Sequence, residues 1–126
     1  MKRLWLGLAI LLILLMVGIG ATVFMARFHN ALSSDLEEAG EAVAEGDWTV
    51  ALALAEQAEE RWERGKRAAA AFADHEPLEQ VDNVFAQIRL YGQMKLEADY
   101  GAACIHLAEL VRALGESHSL FWWNLL

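Results

Sequence analysis

Residues 4–26 read LWLGLAILLILLMVGIGATVFMA, a run of 23 positions without one ionisable side chain. As a helix rising ~1.5 Å per residue it is ~34 Å long, enough to cross a ~30 Å hydrocarbon core with some tilt. The run is longer than the roughly 7–15 apolar residues of a cleavable signal peptide. Its one passable cleavage region, Gly18-Ile19-Gly20-Ala21, lies inside the apolar sequence instead of after it. The reading is an uncleaved N-terminal transmembrane anchor over residues 1–27, followed by an acidic aqueous domain over residues 28–126. Gly18 and Gly20 lack the four-residue spacing of a small-residue dimer motif and read as ordinary anchor glycines.

Orientation follows from charge. Lys2, Arg3 and the terminal amine lie on one side, whereas Arg27 stands alone before Asp35, Glu37, Glu38 and Glu41. The positive-inside bias then predicts a cytoplasmic N-terminus and an extracytoplasmic domain in the cell membrane. All 18 Asp and Glu follow the apolar run, against eight of the ten Lys and Arg. That balance argues against nucleic acid, which needs clustered cations on one face. It argues equally against a domain lying broadly on anionic headgroups. A single cysteine, Cys104, excludes an intrachain disulfide.

The aqueous part reads as four helices. Leu32, Leu36, Ala39 and Val43 recur at helical spacing with Glu37, Glu38, Glu41 and Glu45 outside. This helix either starts at a capping box, Ser34 with Glu37, or continues the membrane helix through Phe28 and Leu32. Gly46-Asp47 ends it, with Gly suited to a left-handed C-terminal position and Asp to an N-cap. The second helix runs from Trp48 to about Ala73, with the stripe Ala51, Leu54, Ala58, Trp62, Gly65, Ala69 and Phe72; Glu60–Arg64 and Glu63–Arg67 are spaced as ion pairs. Asp74-His75-Glu76-Pro77 breaks the chain, and the third helix turns Leu78, Val81, Phe85, Ile88 and Gly92 or Tyr91 inward. Asp99-Tyr100 repeats the logic of Asp47-Trp48 at an offset of 52 residues, suggesting two similar hairpins. The fourth helix carries Ala103, Leu107, Leu110, Leu114, His118 or Ser117, Phe121 and Leu125. The fold class is all-α: one transmembrane helix followed by an antiparallel four-helix bundle of two helical hairpins.

Short turns make consecutive helices antiparallel, so the fourth helix ends on the anchor side. There the chain reads Leu120-Phe121-Trp122-Trp123-Asn124-Leu125-Leu126. Tryptophan favours bilayer interfaces, where its ring is buried and its N–H stays wet. This tail either dips into the headgroup region or closes the core.

Residues that would carry chemistry are sparse. His29, His75, His106 and His118 offer no Glu-x-x-His and no three-ligand spacing, so no metal, cofactor or catalytic set is assigned. Cys104 sits near an apolar stripe as an inert thiol. Asp35, Glu38 and Asp82 read as solvated surface. Partner or membrane contact is assigned to the anchor-proximal end: Arg27, Phe28, Phe72, His75, Phe121, Trp122 and Trp123. A groove is assigned to Trp48, Trp62 and Tyr100, whose blander role is core and hairpin anchoring.

Over nearly its whole length the chain resembles the family of domain of unknown function 4363. The likeness rests on Lys2-Arg3-Leu4-Trp5, on Gly46-Asp47-Trp48 with Trp62, and on Asp74-His75-Glu76 with Leu78 and Asp82. Arg89 and the ending Leu120 with Asn124-Leu125-Leu126 complete it. The Phe121-Trp122-Trp123 tail is more apolar than the family pattern. The resemblance implies a small single-anchor protein of Gram-positive bacteria with an integral membrane partner, such as a YetF-like multispan protein. It implies no activity. Ala44-Glu45-Gly46-Asp47-Trp48 and Ala51 are similar to tetratricopeptide helices, though an offset of 52 instead of about 34 residues counts against that likeness. The expected function is a non-enzymatic accessory or interaction subunit of an integral membrane protein, in contact with the lipid bilayer and with no small-molecule substrate. The alternative is a tethered tetratricopeptide-like peptide- or protein-binding module.

Overall fold

A computed structural model describes residues 1–70 and 75–125, with side chains at 69, 75 and 117–125 outside the description. The chain is all-α: α1 Lys2–Ala44, α2 Trp48–Ala70, α3 His75–Met94 and α4 Glu97–Leu125. The helices pack in a ring, α1 against α2 and α4, and α3 against α4 and, most loosely, α2. The apolar run and the first bundle helix are one rod of 43 residues, about 65 Å long.

The Ser34–Glu37 capping box is therefore not used. Ser33 bonds back to the Asn30 carbonyl (3.1 Å), which satisfies a short hydroxyl inside a continuing helix. Buried packing also ignores a division at residue 27. The α1 stripe Met25, His29, Leu32, Leu36, Ala39 and Val43 is buried, and its first member lies inside the apolar run.

Both hairpin turns have the same backbone solution. At the first, Gly46 N–H donates to Val43 O (3.0 Å) and Asp47 N–H to Ala42 O (2.9 Å). At the second, Lys95 N–H donates to Gly92 O (3.3 Å) and Leu96 N–H to Tyr91 O (3.0 Å). These are paired Schellman bonds, which place a left-handed residue just past the helix end. Gly46 takes φ 81° and Lys95 φ 54°.

The repeat therefore sets Lys95 on Gly46, a shorter register than the one that Asp47-Trp48 and Asp99-Tyr100 suggest. Asp99 lies inside the first turn of α4, where a carboxylate favours the helix dipole, while Tyr100 N–H donates to the Leu96 carbonyl (2.9 Å). With Lys95 on Gly46 the buried stripes coincide: Leu32 with Val81, Leu36 with Phe85, Ala39 with Ile88, Val43 with Gly92, Ala51 with Tyr100, Ala58 with Leu107 and Trp62 with Val111. Each fully buried large aliphatic or aromatic side chain contributes about 1.5–3 kcal/mol over leaving it in water.

Close helix approach uses glycine at the α1–α4 seam. A Cβ on Gly40 would sit 3.3 Å from Ile105, and one on Gly115 3.3 Å from His29. These contacts fix the antiparallel register. Continued along α4, it brings Leu125 level with about residue 19 of α1, at equal rise per residue.

Candidate functional site: the end of the bundle beside the apolar run

This end of the bundle is built where α1 leaves its apolar run and α2 returns. Phe28 lies over Gly65, where a Cβ would stand 2.2 Å from its ring. Its ring also stacks with Trp62 (centroids 6.3 Å, 21°) and with Phe24 (6.3 Å, 8°). Only glycine permits this approach, so Gly65 sets the spacing between α1 and α2. Phe28, assigned above to partner or membrane contact, is half-buried in the α1–α2 seam and also lines a cleft there.

Trp62 is fully buried. Its Nε1–H donates to Asp82 Oδ1 of α3 (2.7 Å), so one side chain ties α2 to both neighbours. A buried indole N–H needs such a partner. Asp82, read from the sequence as solvated surface, is that partner. No spacing along a single helix marks the pairing, because it spans two helices, although both residues are among those that carry the family likeness.

The groove assigned to Trp48, Trp62 and Tyr100 does not form. Trp62 and Tyr100 are fully buried, and Trp48 lies about four turns from Trp62 along α2. Trp48 and Tyr100 meet edge to face (5.1 Å, 61°), with Lys95 Nζ 4.8 Å from the Trp48 ring centre. Tyr100 donates its hydroxyl to the Ala51 carbonyl (2.9 Å). These aromatics anchor the second turn against the first. Burial, before its contact with Cys104, pushes the Tyr100 phenol up. Burial also pushes the Cys104 thiol up to about 12, against the Tyr100 hydrogen bond that lowers it.

His29 is buried. Its Nδ1 donates to the Met25 carbonyl (2.7 Å) and its ring meets Phe28 edge-on (5.4 Å, 77°). His106 is exposed. Among the described residues, no three His, Cys, Asp or Glu side chains converge as metal ligands.

Ion pairs staple the helices in sequence: Arg61 with Asp35 for α1–α2, Arg89 with Glu59 for α2–α3, and Arg112 with Glu37 for α1–α4. The Arg61 Nε lies 3.3 Å from Asp35 Oδ2, but that oxygen has no aligned hydrogen bond. Burial raises the Asp35 carboxyl, Arg61 lowers it, and Glu38 raises it further. The spacings Glu60–Arg64 and Glu63–Arg67 do not become side-chain pairs among the described residues. Arg64 Nε donates to the Glu60 carbonyl (3.4 Å), and Glu63 pairs with Lys66 (2.9 Å).

Arg27 is exposed beside Phe24, and the two line a cleft with Phe28, Arg61 and Arg64. The other assigned contacts lie outside the described residues: Phe72 entirely, and the side chains of His75, Phe121, Trp122 and Trp123. Ala69 and His118 fall there as well. α1 is long and apolar enough to cross a membrane, and only 6% of its most apolar window is buried within the protein.

Residues 22–125 match the family described as Domain of unknown function (DUF4363). The chain belongs to that family. The match takes in the last turn of the apolar run together with all four bundle helices, the same unit that the packing defines. No curated protein and no solved structure matches the chain.

Proposed function

We propose that this DUF4363 protein is a non-enzymatic accessory subunit of an integral membrane protein. A single transmembrane anchor with a cytoplasmic N-terminus holds its acidic domain outside the cytoplasm. The observation carrying this reading is the unbroken α1. A flexible linker would only raise local concentration near a partner. A rod whose buried face runs from Met25, inside the apolar run, to Val43 also fixes the orientation of the bundle relative to the bilayer.

The register of α4 supports a second membrane contact, since its final turns run alongside the apolar part of α1. The Trp122-Trp123 tail then lies at interfacial depth, where tryptophan is favoured. A multispan partner, such as a YetF-like protein, would meet this tail and the anchor together.

Crosslinking in native membranes, followed by mass spectrometry, tests the reading. One integral membrane protein is expected with the full chain and is expected to be lost when residues 120–126 are deleted. Recovery of soluble proteins alone would defeat it.

A specific observation favours one further reading, a peptide-binding module. The loose α2–α3 side holds a cleft of about 500 Å³ lined by Leu52, Phe85, Ile88, Arg89, Gly92 and Tyr100. The repeat that sets Lys95 on Gly46 is far longer than the tetratricopeptide period of about 34 residues. Leu52→Asp should abolish capture of a soluble peptide while leaving membrane co-purification intact if this cleft is the working surface.

A further inference from the structure

The acidic composition hides a local reversal. Residues 61–67 of α2 read RWERGKR, four cations with one Glu, and that Glu63 is held by Lys66. This is the end of α2 that packs beside the exit of the apolar run, because Gly65 rests on Phe28. Arg27, one residue past the run, joins them from α1.

The resulting cleft has a volume of about 380 Å³. Three guanidinium side chains (Arg27, Arg61 and Arg64) line it with the rings of Phe24 and Phe28. Arg61 contacts Asp35 through Nε and keeps 39% of its side chain exposed. Among the described residues, Arg27 and Arg64 have no carboxylate partner. Phe24 is 55% exposed on the apolar side.

The cleft thus has two chemistries in the order of a lipid molecule. Aromatic surface faces the hydrocarbon, and forked cation donors lie one turn beyond it. Guanidinium matches phosphate oxygens in paired hydrogen bonds, and basic pockets at a membrane surface take anionic headgroups.

We propose that the cleft between α1 and α2 binds the phosphate of one anionic phospholipid, with Arg27, Arg61 and Arg64 as donors and Phe24 against its acyl chain. This rests on the membrane-anchor reading above. The acidity of the remaining domain keeps the bundle off the headgroups in general, so lipid contact is confined to this one place.

Native mass spectrometry of the full-length protein in detergent, offered equal dioleoyl phosphatidylglycerol and dioleoyl phosphatidylcholine, is the test. The wild type should retain phosphatidylglycerol over phosphatidylcholine by about tenfold, the scale of one to two surface arginines. Arg64→Gln and Arg27→Gln should each bring the ratio towards one. Arg112→Gln, the same charge loss on α4, should leave it unchanged. A wild-type ratio near one, or equal losses in all three variants, overturns the proposal. Release of bound phosphatidylglycerol by millimolar inorganic phosphate would also overturn it, by making the site a free-anion site. An alkaline carbonate wash of membranes separates the two readings. A chain that stays in the pellet but shows no lipid preference loses only the headgroup site, whereas a chain that washes off loses the anchor and the site with it.

Discussion

The two hairpins, α1–α2 and α3–α4, share one backbone plan and fill it with different side chains. With Lys95 set on Gly46 their turns agree in bonding pattern, and so do their buried stripes. The first hairpin has glycine at the left-handed turn position and the larger aromatic at the base, Trp62. The second has Lys95 at the turn, with Tyr100 beneath it, and Val111 at the base. Along the aligned buried stripe, bulk is therefore placed at opposite ends, near the apolar run in one hairpin and at the distal turn in the other. The first hairpin is braced where it meets the apolar run; the second is braced where it reaches furthest from it. The lesson is that a repeated fold does not need a repeated sequence when the two copies fill each other's space.

The sharpest way to break this comparison is at the base. Trp62→Ala should cost about 3–5 kcal/mol, because it opens a large cavity and removes the donor that ties α2 to Asp82. Val111→Ala at the matching position should cost roughly half as much, in proportion to the smaller volume lost. Chemical denaturation of the full-length protein in detergent measures both. Equal losses would mean that Trp62 is not the brace.

Next in size is the helix spacing. Gly65→Ala places a methyl 2.2 Å from the Phe28 ring, and overpacking of this kind costs about 1–3 kcal/mol. Phe28→Leu in the same chain should recover most of that loss by making room, a double-variant comparison read from the same denaturation midpoints.

The turns should respond with opposite signs. Gly46→Ala imposes a side chain on φ 81° and should destabilise by about 1 kcal/mol. Lys95→Gly relieves the same strain at φ 54° but forfeits the cation above Trp48, so a gain of no more than about 0.5 kcal/mol is expected. Loss of stability in Lys95→Gly would show that the Trp48 contact outweighs the backbone strain.

At neutral pH the smallest effect concerns Cys104, which aligns with Ala55 in the first hairpin. Burial raises its thiol from 9.0 to about 12. A raised acid pKa stabilises the fold below the unfolded value, and that contribution fades as pH climbs from about 9 towards 12. Folded protein should resist thiol labelling at pH 8, and Cys104→Ala should flatten the stability profile above pH 9. Rapid labelling of the native chain at pH 8 would contradict the burial.

The legible parts of the fold were those written in local spacing. Gly46-Asp47 announces its turn because glycine and aspartate suit the two backbone positions that the turn requires; Asp47 indeed receives the Val50 N–H (3.2 Å). Lys95-Leu96 performs the same turn with neither residue type, so the hairpin repeat reads out of register from the sequence. Ser34 with Glu37 imitates a helix start, yet helix runs through it, since packing of Leu32 and Leu36 against the bundle rewards continuation. Of the candidate site, Arg27 was legible from its place at the end of the apolar run. Arg61 and Arg64 were not, as their neighbourhood looked like an exposed charged face.

What the sequence alone determined is the helical periodicity, the apolar run of residues 4–26, the first turn and the antiparallel order of the helices. All of these depend on residues within a few positions of one another. Only the tertiary structure decided that the apolar run and the bundle are one rod, that the repeat sets Lys95 on Gly46, that Trp62 bonds Asp82, and that three arginines share a cleft with Phe24. Those features depend on how each helix is rotated and shifted against its neighbours. That is set by side-chain volume across interfaces such as Gly65 on Phe28, and no spacing along a single helix records it.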